Sequence, residues 1–176
     1  ALRGTRIRVG KSVLFNYLRY AEEVYFAFYV DIFSPKAKDR LRYPKKAYFI
    51  DNSFLSFISL KFSGDIGKLM ENLVAVQLRR DLSKEVLMEM YYWKDTKGRE
   101  IDFVLKEGLA VKQLIQVCYN MEDRETRERE LKSLMEGSRE LHCKDLLIIT
   151  WNDEGVERRN GKKATLTPLW KWLLKH

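Results

Sequence analysis

Cysteine, histidine and long apolar runs are what this 176-residue sequence has least of, and each scarcity removes a class of protein. Two cysteines, Cys118 and Cys143, are too few for the disulfide framework of a small secreted domain. With His142 and His176 they give no ligand spacing for structural zinc. A bilayer span needs about 20 consecutive apolar residues, and no run approaches that length. The chain does not open on a basic start, an apolar core and a small-residue cleavage site, so the expectation is a cytoplasmic protein with no membrane partner. Its first residue is Ala, and "ALRGTRIRVG" has neither periodicity nor a cap. The sequence therefore reads as a piece of a longer protein.

What is abundant is charge within a globular composition: 45% of residues are hydrophobic and 33% charged, the balance of a folded domain rather than a disordered one. The length suits one domain with a good core, or a small module attached to a larger one. The net charge of +8 is unevenly placed. Residues 1 to 50 hold eleven Lys/Arg against four Asp/Glu, and the remainder twenty-two against twenty-one. A basic surface of this kind attracts an acidic partner, with DNA the first candidate. Lys11, Arg19, Lys36, Lys38, Arg40 and Arg42 are the candidate phosphate contacts. A solvated Lys-rich face without a partner would show the same bias.

"KSVLFNYLRYAEEVYF" places Leu14, Tyr17, Leu18, Ala21 and Val24 at helical spacing, with Ser12 as N-cap. A β-rich run, the basic link "SPKAKDRLRYPKK" and the short strand "AYFID" follow. Helix, strand, basic connection and strand is the order of the second half of a winged helix, the link forming its wing. Beyond Asn52 come a long amphipathic helix from Gly64 to Ser83 and three strands, "LMEMYYWK", "REIDFVLKEG" and "VKQLIQVCYN". A charged helix near Asp123 to Leu141, the strand "DLLIITWN", a polar hairpin, a short strand and a terminal helix complete the chain. This order predicts an α/β fold: a partial winged helix over residues 1–51, then a mixed sheet flanked by helices over 52–176.

"GTRIRVGKS" resembles a phosphate-binding loop but has five residues between its glycines, where four are required, and no apolar strand precedes it. The acids are more informative. Glu71 lies at the edge of the apolar face in "LMENLVAVQL", Asp102 sits inside "IDFVL", and Gln116 is on the next strand. A buried carboxylate is costly unless it is paired or bound to a cation. Oxygen ligands converging from a helix and two strands would suit Mg²⁺. The opposite reading pairs Glu71 with a lysine such as Lys68, three residues back on the helix, and makes Cys118 a small buried hydrophobe.

The blocks "NYLRYAEEVYF", "KKAYFIDNSF", "MENLVAVQLRR", "YYWKDTKGREIDFVL", "LIQVCYN", "TRERELKSL", "LLIITW" and "PLWKWLL" together resemble the C-terminal region of archaeal-type AAA ATPases. In that region a winged-helix segment precedes a restriction-endonuclease-like, PD-(D/E)XK-type fold. The resemblance implies an ATP-binding parent whose ATPase core lies before Ala1. It also implies a nuclease pattern whose helix acid is Glu71 and whose first strand acid is Asp102, the two candidate metal ligands. The second acid of that pattern and the lysine two residues later fall on Gln116 and Cys118. A neutral thiol, with an unperturbed pKa near 8.5, supplies no fixed positive charge at a phosphoryl centre. Lys94, Lys106 and Lys112 on nearby strands are candidates to substitute for it.

The reading is a nucleic-acid-binding or regulatory module of such an ATPase, with a degenerate catalytic motif and its own or a partner's ATPase domain as second partner. The alternatives are a Mg²⁺-dependent DNA nuclease and a protein-interaction domain that binds no nucleic acid.

Overall fold

The computed structural model describes residues 10–59 and 66–175. Its centre is the apolar run Leu146–Thr150, strand β6 in chain order, buried at every position. Such a run requires a sheet covered on both faces. Before it come α1 (Lys11–Glu23), β1 (Ala27–Val30), α2 (Ala37–Arg42), β2 (Lys46–Phe49), α3 (Asn52–Ser59), α4 (Ile66–Leu82), β3 (Met88–Lys94), β4 (Glu100–Glu107), β5 (Ala110–Cys118) and α5 (Arg124–Glu140). After it come β7 (Gly155–Arg159), β8 (Lys162–Pro168) and α6 (Leu169–Leu173). Six strands form one mixed sheet in the order β3-β4-β5-β6-β8-β7. The β5–β6 and β6–β8 pairs are parallel and the others antiparallel.

The two long helices cover opposite faces. On one side Met70, Val74, Ala75 and Leu78 of α4 share a core with Phe103, Ile115, Leu147 and Ile149. On the other, Leu131, Leu134 and Met135 of α5 meet Trp93, Ile101, Val104, Leu114 and Ile148. Alternation along β6, with Leu147 and Ile149 on one side and Leu146 and Ile148 on the other, supplies both cores from one strand. Asp123 caps α5, its side chain accepting the Thr126 N–H at 2.8 Å. Gly137 lets the same helix press on the sheet, because a Cβ there would stand 2.2 Å from Ile101 Cδ1.

The first fifty residues depart from the expected pattern in two places. α1 begins at Lys11 with Gly10 at its cap, so Ser12 lies inside the first turn and no side chain caps that end. The basic link, expected as a hairpin wing, forms the short helix α2 between β1 and β2, which pair antiparallel as a separate ribbon. The ribbon packs on the main sheet: Phe28, Val30, Ile32 and Tyr48 belong to the α4-side core. Ile32 also bridges Tyr92 of β3 in parallel, with Phe33 N–H donating to Tyr92 O at 2.6 Å and Tyr92 N–H to Asp31 O at 3.0 Å.

Candidate functional site

A bulge aims Asp102. Tyr91 and Trp93 of β3, two residues apart, pair with Val104 and Ile101 of β4, three residues apart. The extra residue breaks the alternation, so Ile101 and Val104 face α5 while Phe103 faces α4. The β4–β5 pairing ends at Phe103 with Ile115, and beyond it side chains take up backbone groups that the ladder no longer pairs. Asp102 Oδ2 accepts the Val117 N–H at 3.0 Å, and Gln116 Oε1 accepts the Asp102 N–H at 3.3 Å.

Glu71 reaches the same place from α4, held there by the next residue. Asn72, buried to 1% exposure, accepts the Phe49 N–H and donates to the Phe49 carbonyl, both at 2.8 Å, which locks β2 against the helix. On the locked strand Lys46 and Tyr48 point the same way. Lys46 Nζ lies 3.0 Å from Glu71 Oε1, 2.8 Å from Glu100 Oε1 and 2.9 Å from Asp102 Oδ1. Tyr48 donates its hydroxyl to Glu71 Oε1 at 2.7 Å. Lys94 closes the far side of Glu100 at 2.9 Å.

The charges respond to these contacts. Burial and the repulsion of Glu71 push the Asp102 carboxyl up to about 7, against the pull of Lys46 and the Val117 N–H. Burial works against the Lys46 charge, but the negative charges of Asp102 and Glu71 outweigh it and hold the ammonium above its ordinary range. Tyr48 is raised by burial and by the Glu71 charge, so it stays a hydroxyl donor. Lys46 and Glu100 form a shared wall between two shallow pockets, one of about 280 Å³ beside Tyr48 and Glu71, the other of about 390 Å³ beside Tyr43 and Tyr92.

Of the residues singled out from the sequence, Glu71 and Asp102 meet through Lys46. Gln116 and Cys118 bring no charge to that meeting, and Gln116 touches it only through the Asp102 backbone, whose N–H its Oε1 accepts. Gln116 donates from Nε2 to Glu130 of α5 at 2.6 Å, and Cys118 packs among the α5-side apolar residues. The Cys118 thiol is pushed up to about 11 by burial, with Glu130 adding to the effect, which keeps it a neutral thiol near pH 7. Lys106 pairs with Glu89 and Lys112 with Glu107, and of the three substitute lysines Lys94 alone touches the cluster, through Glu100.

Among the candidate phosphate contacts, Lys36 and Arg42 are exposed around α2. Arg19 is exposed and paired with Glu23. Arg40 turns inward, its guanidinium 5.0 Å from the Tyr91 ring centre. The side chains of Lys11 and Lys38 lie outside the described ones. Lys46, Tyr48 and Glu100 did not stand out in the sequence. The signal for two of them was present in "KKAYF", where Lys46 and Tyr48 share parity on a strand with one buried face.

Glu71, Glu100 and Asp102 offer the hard oxygen donors that Mg²⁺ prefers. However, one oxygen of each already faces the Lys46 ammonium, which occupies the point where the three carboxylates converge. Among the described residues no group of three or more His, Cys, Asp or Glu is arranged to hold a metal ion. The residues as placed do not fit the metal.

Residues 66–172, from α4 to α6, match the model of the domain of unknown function DUF4143. The chain belongs to the DUF4143 family. An uncharacterized protein of Methanocaldococcus jannaschii, MJ1544, is 34% identical over 179 residues, which cover 98% of this chain and 38% of that protein. The chain thus spans well under half the length of this relative. No solved structure matches it. The DUF4143 match contains Glu71, Glu100 and Asp102 but begins after the ribbon that carries Lys46 and Tyr48.

Proposed function

We propose that this chain is a C-terminal nucleic-acid-binding or regulatory module of an AAA-like ATPase, built on a nuclease-like α/β scaffold that does not cleave its ligand. The parent assignment is supported by the resemblance of the sequence blocks to archaeal-type ATPase tails and by a family found in C-terminal regions of AAA-like ATPase proteins. The observation that carries the non-catalytic reading is the saturation of Lys46. An ammonium has three N–H donors. Here three carboxylate oxygens stand within 3.0 Å of it, leaving none for a water or a phosphate. Lys46 holds the three acids together and acts as a structural tie between ribbon, helix and sheet. Exposed Lys36 and Arg42 leave the basic surface around α2 free to meet a polyanion.

The test has two arms. Purified protein incubated with single-stranded, duplex and branched DNA in Mg²⁺ or Mn²⁺ is expected to leave every substrate intact. Cleavage that Asp102→Ala abolishes would sink the non-catalytic reading in favour of a metal-dependent nuclease. In the second arm, DNA binding is expected to weaken with salt as counterions are released, and to weaken further in Lys36→Glu/Arg42→Glu. Absence of DNA binding, with capture of the ATPase core instead, would leave a protein-interaction module.

A further inference from the structure

We infer that the α5 side of the sheet carries a second, separate anion site, a cleft built to hold the phosphates of a polyphosphate chain. The cleft has a volume of about 660 Å³, within the usual range for ligand sites. Five cations line it from three separate parts of the chain: Lys97 and Arg99 from the β3–β4 connection, Arg129 and Lys132 from α5, and Arg159 from the end of β7. Two carboxylates, Glu128 and Glu136, lie among them. Asp95 and Glu130, which pair with Arg99 and Arg129, bring the acids at the cleft to four, so the balance is one positive charge.

The arginines are already aimed. Asp95 holds Arg99 through Nε at 2.5 Å, Glu128 holds Arg159 at 2.7 Å, and Glu130 holds Arg129 at 2.7 Å. Glu128 and Glu136, four residues either side of Lys132, are engaged elsewhere, Glu128 by Arg159 and Glu136 by Arg99 and Arg139. Among the described residues neither Lys97 nor Lys132 has an ion pair, and both are exposed at the cleft. A solvated face laced with ion pairs would balance these lysines as it balances the arginines. With the three arginines paired to carboxylates, the two unpaired ammoniums carry the excess positive charge of this concave surface, which favours a ligand carrying several negative charges close together. Among the described residues no aromatic ring lines the cleft, so it offers no stacking platform for a base, and the phosphate chain is the recognised group. That chemistry is shared by a free polyphosphate or nucleotide tail and by a nucleic-acid backbone. The site does not depend on the surface around α2.

Inorganic tripolyphosphate, titrated calorimetrically into the whole chain, is the direct probe. Binding is expected in the wild type and is expected to fall on the order of tenfold in Lys97→Ala/Lys132→Ala. The fall should leave the melting temperature unchanged, because neither lysine holds an ion pair among the described residues. Lys36→Ala/Arg42→Ala, on the α2 surface, should bind tripolyphosphate like the wild type; failure of DNA binding in that variant alone bears on the module assignment and not on this cleft. A labelled oligothymidylate separates the sources: displacement by tripolyphosphate, with a salt slope reduced by about 1.4 in Lys97→Ala/Lys132→Ala, assigns a nucleic-acid backbone, and no displacement assigns a free polyphosphate. No tripolyphosphate binding at millimolar concentration, or equal binding by the wild type and Lys97→Ala/Lys132→Ala, overturns the proposal.

Discussion

Because Lys46 is surrounded by carboxylates, the stability of the protein is tied to the proton on Asp102. Unfolded, that carboxyl titrates near 4; folded, burial and Glu71 push it up to about 7. Between these values the folded chain binds the proton more readily, so the contribution of Asp102 to stability falls as pH rises through the window. Thermal melts from pH 4.5 to 7.5 should show this decline in the wild type and a flatter profile in Asp102→Asn. Parallel profiles would remove the linkage. Lys46→Met takes the cation from three acids, and a loss on the order of 3 kcal/mol is expected at pH 7.5, less at pH 5 where Asp102 is protonated. Urea titration at the two pH values measures both. At this scale the sequence exposed half of the cluster. Glu71 and Asp102 stood out as acids in apolar runs, whereas Lys46 was one of many lysines in a basic stretch, and its partners are distant in the chain. The faces of Gln116 and Cys118 were hidden for another reason: alternation divides a strand into two sets without naming the helix each set meets, and the bulge at Asp102 breaks the parity that would have linked the strands.

Among the elements, β2 and α4 are joined by one side chain. Asn72 satisfies both backbone groups of Phe49 and also donates to Asn52 Oδ1 at 2.7 Å. Asn72→Ala leaves these partly buried groups without their partner, and a destabilisation of about 1–3 kcal/mol is expected from chemical denaturation. α5 gives a prediction of opposite sense from ordinary helix propensity. Gly→Ala within a helix normally stabilises by about 1 kcal/mol. Gly137→Ala is expected to lower the melting temperature instead, because the new methyl would stand 2.2 Å from Ile101 Cδ1 and force that fully buried side chain to shift within a packed core. The long helices and the central strands were legible because their apolar residues recur at 3.6 or 2, or run unbroken through β6. α2 was not: "KAKDRLR" has no apolar stripe to announce a helix, and its charges read equally well as a loop.

The molecule as a whole does not divide where its composition changes. The basic excess ends near residue 50, yet Phe28, Val30, Ile32 and Tyr48 share one core with α4 and the sheet. A fragment of residues 66–172, the span of the DUF4143 match, would expose the α4-side core where the ribbon covers it. It is expected to bind hydrophobic dyes and to melt without a sharp transition, while the full chain melts cooperatively. A fragment as cooperative as the full chain would show the ribbon to be an accessory.

The bridge between Ile32 and Tyr92 also carries information about time. It joins the ribbon to an edge of the sheet across the intervening α3 and α4, so it repays its loop-closure entropy only after α4 and β3 have found each other. The hairpin contacts of β3, β4 and β5 are local and can form first. Weakening the ribbon, for example by Val30→Ala, should therefore speed unfolding while leaving the refolding rate nearly unchanged. Stopped-flow chevrons would then place the docking of Lys46 onto its acids after the main barrier, as the last event in the protein's assembly.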